Sequence, residues 1–274
     1  MKIGAVIITY NPNINILKKN IDAIFFQVDE LLIVDNGSKN INEIEKVFDY
    51  EVIKNIENQG IAYATNQAMK YFKSKKFHWV LTLDQDTIVS GTLIKNFLRF
   101  SAVKNVGMLT PVYVDRNNRV NDNDTCDDDF SEVLKPIASG ALIKISAWSE
   151  INGFDEDLFI DRVDDDFDLR LRKKGFRLLQ VNSVKISHEI GKIKIFNIGK
   201  FEIQIFNHSA VRKYFIARNA IIFCKKHGEW GEAFKRIVVL CLKVLFFEDD
   251  KILKIKKIIY GVKDGIMYKT RKRE

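Results

Sequence analysis

Short apolar runs and amphipathic stretches alternate along the first hundred residues of the chain. Residues 3–9 form a β-branched run, and apolar positions then recur at helical spacing from Ile14 onwards. Further apolar runs at 31–34 and 77–83 indicate strands. The other elements predicted up to residue 114 are helices at about 41–48, 61–72 and 91–101 and strands at about 51–55 and 106–114. This alternation predicts an α/β fold, in which a mostly parallel sheet is flanked by helices.

Polar side chains follow three of the predicted strands at the point where each strand ends. Thr9 and Tyr10 end the first strand, and Asp35 ends the second. Asp84 and Asp86 follow the strand at 77–83. Because the carboxyl ends of parallel strands share one edge of a sheet, we expect these side chains to meet in one crevice. Two carboxylates one residue apart suit a hard divalent cation on a diphosphate, although Asp is equally common in turns and helix N-caps.

A second group of carboxylates lies at 155–168, where a helix is predicted to begin within the acidic run. Capping and the helix dipole explain most of these side chains, and Asp166 and Arg170 are spaced for an ion pair. Crowded carboxylates also repel one another, which can give one of them a pKa suited to proton abstraction, and Asp164 is our candidate base. His188 ends a later strand, where it is either a structural residue or a third metal ligand.

Two further segments lie between these acidic groups. The stretch from Asp115 to Glu132 is rich in Asp and Asn, which predicts either a solvated loop or an active-site lid. Residues 135–145 are predicted to be a strand broken at Ser139-Gly140, where a backbone can approach a ligand closely.

The composition narrows the class of protein. Of 274 residues, 46% are hydrophobic and 29% charged, which is typical of a globular chain. Three scattered cysteines favour neither a zinc site nor a disulfide framework and are compatible with the reducing cytoplasm. The sequence has no Gly-X-Gly-X-X-Gly after its first strand and no Walker lysine loop, which argues against dinucleotide and P-loop folds. The net charge of +8 suits a phosphate-rich substrate, an anionic membrane or nucleic acid.

In this order, the motifs of residues 2–225 resemble those of the inverting family-2 glycosyltransferases with a GT-A fold, and most of all those of bacterial rhamnosyltransferases. The segments that carry the resemblance are Val6–Pro12, Val34–Ser38, Asn58–Ala62, Asp84–Asp86, Gly153–Glu156, Ile160–Asp166, His188 and the stretch from His208 to Asn219. Two positions depart from the family pattern. Val163-Asp164 stands where many relatives have Glu-Asp, and Phe167-Asp168 stands where the rhamnosyltransferases often have Trp-Cys.

The resemblance implies a role for each matching residue. Nucleotide-sugar binding is implied for Thr9, Tyr10, Asp35, Asn58, Gly60, Asp84 and Arg218. Mg²⁺ or Mn²⁺ on the diphosphate would be held by Asp84, Asp86 and His188. Asp164 would be the catalytic base. The donor best matched by the subgroup is dTDP-rhamnose, with a UDP-hexose as the alternative, and a non-catalytic nucleotide-sugar-binding scaffold is the alternative of another class.

The chain changes character after about residue 225. We predict a glycosyltransferase domain at 1–225 and a basic, amphipathic helical extension at 226–274, where lysines interleave with isoleucines. The extension is expected to contact the anionic inner face of the cell membrane from the cytoplasm, where a lipid-linked saccharide acceptor would lie. The alternative is that these helices pack on the protein and leave a solvated lysine face. Nucleic-acid binding is not expected, because no recognised module is present.

Overall fold

The computed structural model describes residues 1–47, 49, 51–115, 129–188, 194–198 and 201–269. The loop predicted at 115–132 therefore lies mostly outside the described residues. The chain forms two compact units, one of residues 1–157 and 163–189 and the other of residues 158–162 and 190–274. The domain boundary expected at residues 225/226 stays a prediction.

Ten strands and nine helices occur within the described residues. The strands are β1 (Ile3–Thr9), β2 (Glu30–Asp35), β3 (Glu51–Lys54), β4 (Trp79–Asp84), β5 (Val106–Asp115), β6 (Phe130–Glu132), β7 (Ala141–Lys144), β8 (Arg177–His188), β9 (Lys194–Ile198) and β10 (Phe201–Ile205). The helices are α1 (Ile14–Ile24), α2 (Ile41–Val47), α3 (Ile61–Ser74), α4 (Leu93–Leu98), α5 (Ile145–Glu150), α6 (Val163–Lys173), α7 (Ala210–His227), α8 (Trp230–Phe247) and α9 (Lys251–Met267).

The first unit contains one mixed sheet, whose strand order in the described residues is β3-β2-β1-β4-β7-β5-β8-β6. The first four strands in this order are parallel, and β7 runs antiparallel to both of its neighbours. Thr9 lies opposite Asp35, and Ile8 lies opposite Asp84. The ends of β1, β2 and β4 therefore meet at one edge of the sheet, as the sequence predicts.

The centre of this sheet is held by apolar burial. Strand β1 is buried along its whole length, and α1 adds Leu17, Ile21 and Ile24 to the same core. Each fully buried side chain of this size contributes about 2 kcal/mol. Helix α3 packs so closely on β1 that a Cβ on Gly4 would overlap the ring of Phe72. These contacts fix β1 at the centre of the sheet.

Two predicted elements differ from the observed ones. Of the broken strand predicted at 135–145, only the part after the predicted break at Ser139-Gly140 is a strand, β7. At the break, Gly140 has a φ of +81° and donates its N–H to the Thr82 carbonyl at 2.6 Å. The chain then enters α5 at Ile145 rather than continuing as a strand. Helix α4 is also shorter than the predicted 91–101.

The second unit joins the hairpin of β9 and β10 to three helices. Helix α9 packs on α7 through Gly261 and Gly265, where any Cβ would meet the backbone of α7. The start of α9 is fixed by a buried ion cluster, in which Glu248 pairs with Lys213 and, at 3.0 Å, with Lys254. One face of α9 is thus committed to packing. Among the helices described, none is long and apolar enough to cross a membrane.

Candidate active site

The turn after β4 is held in place by its backbone. The Asp84 N–H donates to the Ser139 hydroxyl at 3.0 Å, and the Asp84 carbonyl accepts from the Asn20 amide at 2.8 Å and from the Thr87 N–H at 3.2 Å. Asp84 is half-buried and Asp86 is exposed. These backbone bonds fix the turn that places two carboxylates at the edge of the sheet.

Gln85, between the two carboxylates, connects two strand ends. Its side-chain oxygen accepts the N–H of Tyr10 at 2.8 Å, so the end of β1 is tied to the turn after β4. The Tyr10 side chain is 47% exposed, which leaves its ring available for stacking. An Asp-X-Asp motif specifies only its two carboxylates, so the sequence gives no signal for the bond made by Gln85.

Asp35 organises the turn that follows β2. Its carboxylate accepts from the Thr9 hydroxyl at 2.8 Å, from the Ser38 hydroxyl, and from the N–H groups of Ser38 at 2.8 Å and Gly37 at 3.2 Å. Asp35 is only 1% exposed. Four donors match the four acceptor positions of a carboxylate. Asp35 thus stabilises the backbone of the turn that follows β2.

Asn36 joins that turn to the segment at 58–60, and the sequence analysis missed it. Its side-chain amide donates to the Asn58 side chain at 3.0 Å and to the Gly60 carbonyl at 3.1 Å, and its side-chain oxygen accepts the Gln59 N–H at 3.0 Å. Gly60 begins α3 with a φ of +90°, a conformation that favours glycine. Asn58 and Gly60 therefore lie beside the turn formed by Asp35.

Tyr113 marks the point where the two acidic groups approach each other. Its hydroxyl lies 2.6 Å from the Ser139 carbonyl. Burial raises the pKa of Tyr113, and the negative charges of Asp164, Asp84 and Asp168 raise it further. Tyr113 therefore lies within electrostatic range of both acidic groups. The sequence gives no signal for this tyrosine.

Helix α6 begins within the acidic run, as predicted, with Asp164 half-buried in its first turn. The predicted ion pair is present, with Arg170 Nε 2.7 Å from Asp166. Asp168 is different, because it is 1% exposed and neither of its carboxylate oxygens has a hydrogen-bond partner. Burial raises its pKa well above the ordinary value, and the charges of Asp164 and Asp165 raise it further.

His188 and Arg218 are the remaining residues that were predicted to bind the metal or the nucleotide. His188 ends β8 with its backbone paired to Asp115, and its side chain lies outside the described part of the structure. Arg218 lies on α7 in the second unit, 5.7 Å from the ring centroid of Phe215. The roles of His188 and Arg218 stay predictions.

The stretch from His208 to Asn219, which carries part of the family resemblance, makes contacts within the second unit. The side-chain amide of Asn219 donates to the carbonyls of Ile160 at 2.7 Å and Asp161 at 3.1 Å. Burial and the neighbouring charge of Arg212 lower the pKa of His208 to about 4, so this imidazole is neutral at physiological pH. Asn219 therefore fixes the segment that precedes α6 in the chain.

The carboxylates at the sheet edge suit a hard cation. Within the described residues, no group of three or more His, Cys, Asp and Glu side chains is close enough to hold a metal ion. Asp84 and Asp86 would supply two oxygen ligands, and Mg²⁺ is commonly bound by one or two carboxylates together with substrate phosphates. This donor set fits Mg²⁺ or Mn²⁺ on a diphosphate.

Three comparisons place this geometry among known proteins. A sequence profile described as "Glycosyl transferase family 2" matches residues 5–202. The chain is 28% identical to dTDP-rhamnosyl transferase RfbF of Shigella flexneri, over 96% of this chain and 95% of that protein. The structure of GalNAc-T7 with UDP, GalNAc and Mn²⁺ is similar with a TM-score of 0.57 at 13% identity, covering 81% of this chain and about half (51%) of that one. The mannosyltransferase PcManGT from Pyrobaculum calidifontis, in complex with GDP-Man and Mn²⁺, is similar with a TM-score of 0.56 at 14% identity, over 98% and 76% of the two chains.

The structural likenesses confirm the predicted GT-A fold, with its mostly parallel sheet, flanking helices and helical C-terminal region. The likeness to a rhamnosyl transferase agrees with the subgroup resemblance. Because the family profile matches well over half of the 274 residues, the chain belongs to glycosyl transferase family 2.

Proposed function

We propose that this protein is a metal-dependent, inverting glycosyltransferase that moves a sugar from a nucleotide-sugar donor onto an acceptor hydroxyl. The observation that carries the proposal is that β1, β2 and β4 end at one edge of the sheet, where the turn that holds Asp84 and Asp86 is bonded to Tyr10. The charges of Asp84 and Asp164 both raise the pKa of Tyr113, which supports a base on the acceptor side of the same site.

On the donor side, the nucleotide is proposed to lie at the ends of β1 and β2. Tyr10 would stack on the base, and Thr9 and Asp35 would act through the turn that they hold. Asn58 and Gly60 border the same turn through Asn36. The fully satisfied carboxylate of Asp35 favours this indirect role over a direct bond to the base.

Asp86 and Asp84 are proposed to hold Mg²⁺ or Mn²⁺ on the donor diphosphate, with His188 as a further ligand. The cation would stabilise the negative charge that develops on the leaving nucleoside diphosphate. Mn²⁺ is present in the similar structures of GalNAc-T7 and PcManGT, which supports a divalent cation.

On the acceptor side, Asp164 is proposed to take the proton from the attacking hydroxyl. The hydroxyl oxygen then bonds to the anomeric carbon from the face opposite the diphosphate, and the bond to the diphosphate oxygen breaks. This single displacement inverts the configuration and needs no covalent protein nucleophile. The partly exposed position of Asp164 at the start of α6 is compatible with access to an acceptor.

The proposed donor is dTDP-rhamnose, which is supported by the similarity to a dTDP-rhamnosyl transferase. A UDP-hexose is the alternative donor. The proposed acceptor is a lipid-linked saccharide of a cell-surface polysaccharide, reached from the cytoplasmic side of the membrane. A non-catalytic nucleotide-sugar-binding scaffold remains the alternative of another class.

The test is donor hydrolysis and transfer with purified protein, dTDP-rhamnose, UDP-glucose and UDP-galactose, with and without Mn²⁺. Asp164→Asn should lower turnover at least about 100-fold and still bind nucleotide, because a missing base mainly affects chemistry. Asp86→Ala should weaken metal-dependent nucleotide binding. Asp165→Asn is the matched control on the same helical turn. Unchanged transfer by Asp164→Asn would contradict the assignment of the base. Turnover of UDP-hexoses but not of dTDP-rhamnose would exclude dTDP-rhamnose as the donor. Absence of both nucleotide binding and transfer would favour the scaffold.

A further inference from the structure

Helix α8 exposes a row of large apolar side chains on the side opposite its packed face. Ala233, Leu240 and Val244 are buried. On the other side, Phe234 is 74% exposed and Phe246 is 69% exposed. The exposed apolar residues of α8 are Trp230, Phe234, Val238, Val239, Leu242, Leu245 and Phe246. A contiguous apolar surface of this kind marks an interaction site rather than ordinary solvent-facing helix.

Helix α9 presents a second apolar face, again opposite the residues that pack on α7. Its exposed apolar residues form three pairs spaced seven apart: Ile252 with Leu253, Ile259 with Tyr260, and Ile266 with Met267. Positions seven apart lie on one side of a helix. Lys256 and Lys263 fall on the same side and are also exposed. The face therefore combines apolar side chains with lysines.

A groove connects the two faces. It has a volume of about 360 Å³ and is lined by Leu245 of α8 and by Ile252, Ile259 and Tyr260 of α9. Lys251 and Lys256 border it. The exposed faces of α8 and α9 thus form one continuous surface, which we name the apolar–basic face.

The charge on this face indicates what it contacts. Helix α9 carries five lysines and a single acid, Asp264. Lys254 is buried against Glu248, so Lys251, Lys256 and Lys263 carry the exposed positive charge of this face, and two exposed acids, Asp249 and Asp250, adjoin it at the start of the helix. Long lysine stems can lie along apolar surface while their ammonium groups reach a polar boundary. A second copy of the same face would bring like charges together, which disfavours self-association.

We propose that the apolar–basic face docks on an anionic lipid bilayer. The aromatic and aliphatic side chains enter the boundary between headgroups and acyl chains, and the lysines contact the headgroup phosphates. The proposal sharpens the membrane contact expected from the basic C-terminal segment, because the structure adds the apolar row of α8. It rests on the second unit alone and not on the proposed transferase activity.

The test is sedimentation of the full chain with vesicles of phosphatidylcholine containing 30% phosphatidylglycerol, compared with phosphatidylcholine alone. Binding should be stronger to the anionic vesicles and should fall with salt. Phe234→Ser with Phe246→Ser should weaken binding at least about tenfold. Lys256→Gln with Lys263→Gln should weaken it about 25-fold at low salt. Substitutions are used because truncation before α9 would remove Glu248 or Lys254 from the buried ion cluster.

The matched controls make equivalent changes in the first unit. Phe26→Ser removes an aromatic side chain that is 92% exposed, and Lys95→Gln with Lys104→Gln removes two exposed charges. Both controls should bind as the wild type does. The proposal is overturned if the wild type does not bind anionic vesicles. It is overturned as well if the two double variants of the apolar–basic face bind as strongly as the controls. It is also overturned if the protein is a dimer that Phe234→Ser with Phe246→Ser makes monomeric while vesicle binding is unchanged.

Discussion

Replacing the buried carboxyl of Asp168 by an amide should change how the stability of the protein depends on pH. Asp168 is 1% exposed and its two oxygens have no hydrogen-bond partner. Burial raises its pKa well above the ordinary value of 3.8, the charges of Asp164 and Asp165 raise it further, and Arg172 lowers it. Asp168→Asn keeps the shape of the side chain and removes its ability to ionise.

The sign of the effect follows from linkage between folding and protonation. Because the pKa is higher in the folded than in the unfolded protein, the unfolded chain binds fewer protons above pH 3.8. The stability contributed by Asp168 is therefore complete below pH 3.8 and is lost as the pH rises through the folded pKa. Each unit by which the pKa is raised removes about 1.4 kcal/mol of unfolding free energy.

The assay is urea unfolding of wild type and Asp168→Asn at pH 4, 6 and 8. The unpaired amide costs about 1–3 kcal/mol at every pH, so the quantity to compare is the change in the difference between the two proteins. Between pH 4 and pH 8, the free energy of unfolding of Asp168→Asn should rise relative to that of the wild type by more than about 1 kcal/mol. Asp22→Asn, an exposed position on α1, controls for the loss of one charge. A difference that is the same at pH 4 and pH 8 would refute the reasoning.

Two further predictions concern the edge of the sheet. Asp35→Ala should destabilise the protein by about 3 kcal/mol or more, because it leaves two hydroxyls and two N–H groups without their acceptor, and urea unfolding against Asp22→Ala measures this. A loss below about 1 kcal/mol would contradict the structural role of the carboxylate. Gly4→Ala should cost about 1–3 kcal/mol because its Cβ overlaps the ring of Phe72, whereas Gly91→Ala, which has open space, should cost little; equal thermal midpoints for the two variants would contradict the close approach.

Much of the first unit follows from local sequence patterns. The apolar runs and helical spacings predict β1, β2, β4, α1 and α3 close to their observed bounds, because each pattern reflects the burial of a short element. The break predicted at Ser139-Gly140 is present, but only the part of 135–145 that follows it is a strand, β7. Periodicity does not report the bond from the Gly140 N–H to the Thr82 carbonyl, since that bond joins residues far apart in sequence.

The features of the candidate site also divide into those that the sequence reveals and those that only the structure reveals. Strand-end carboxylates such as Asp84 are visible in the sequence, because an acidic residue after an apolar run is a local signal. The bond from the Tyr10 N–H to Gln85 spans 75 residues, and the bonds of Asn36 span 22 and 24 residues to Asn58 and Gly60. Contacts at such separations leave no periodic trace, so the connecting roles of Gln85 and Asn36 were missed.

The sequence by itself determined the class of fold, the family resemblance and the order of the acidic motifs. Only the tertiary structure decided that Asp84 and Asp164, which lie far apart along the chain, act on the same phenol of Tyr113. It also decided that Asp168 is buried without a partner, whereas Asp166, two residues earlier, is paired with Arg170. The physical reason is that burial and electrostatic environment depend on neighbours from distant parts of the chain, whereas propensity and periodicity depend on residues a few positions away.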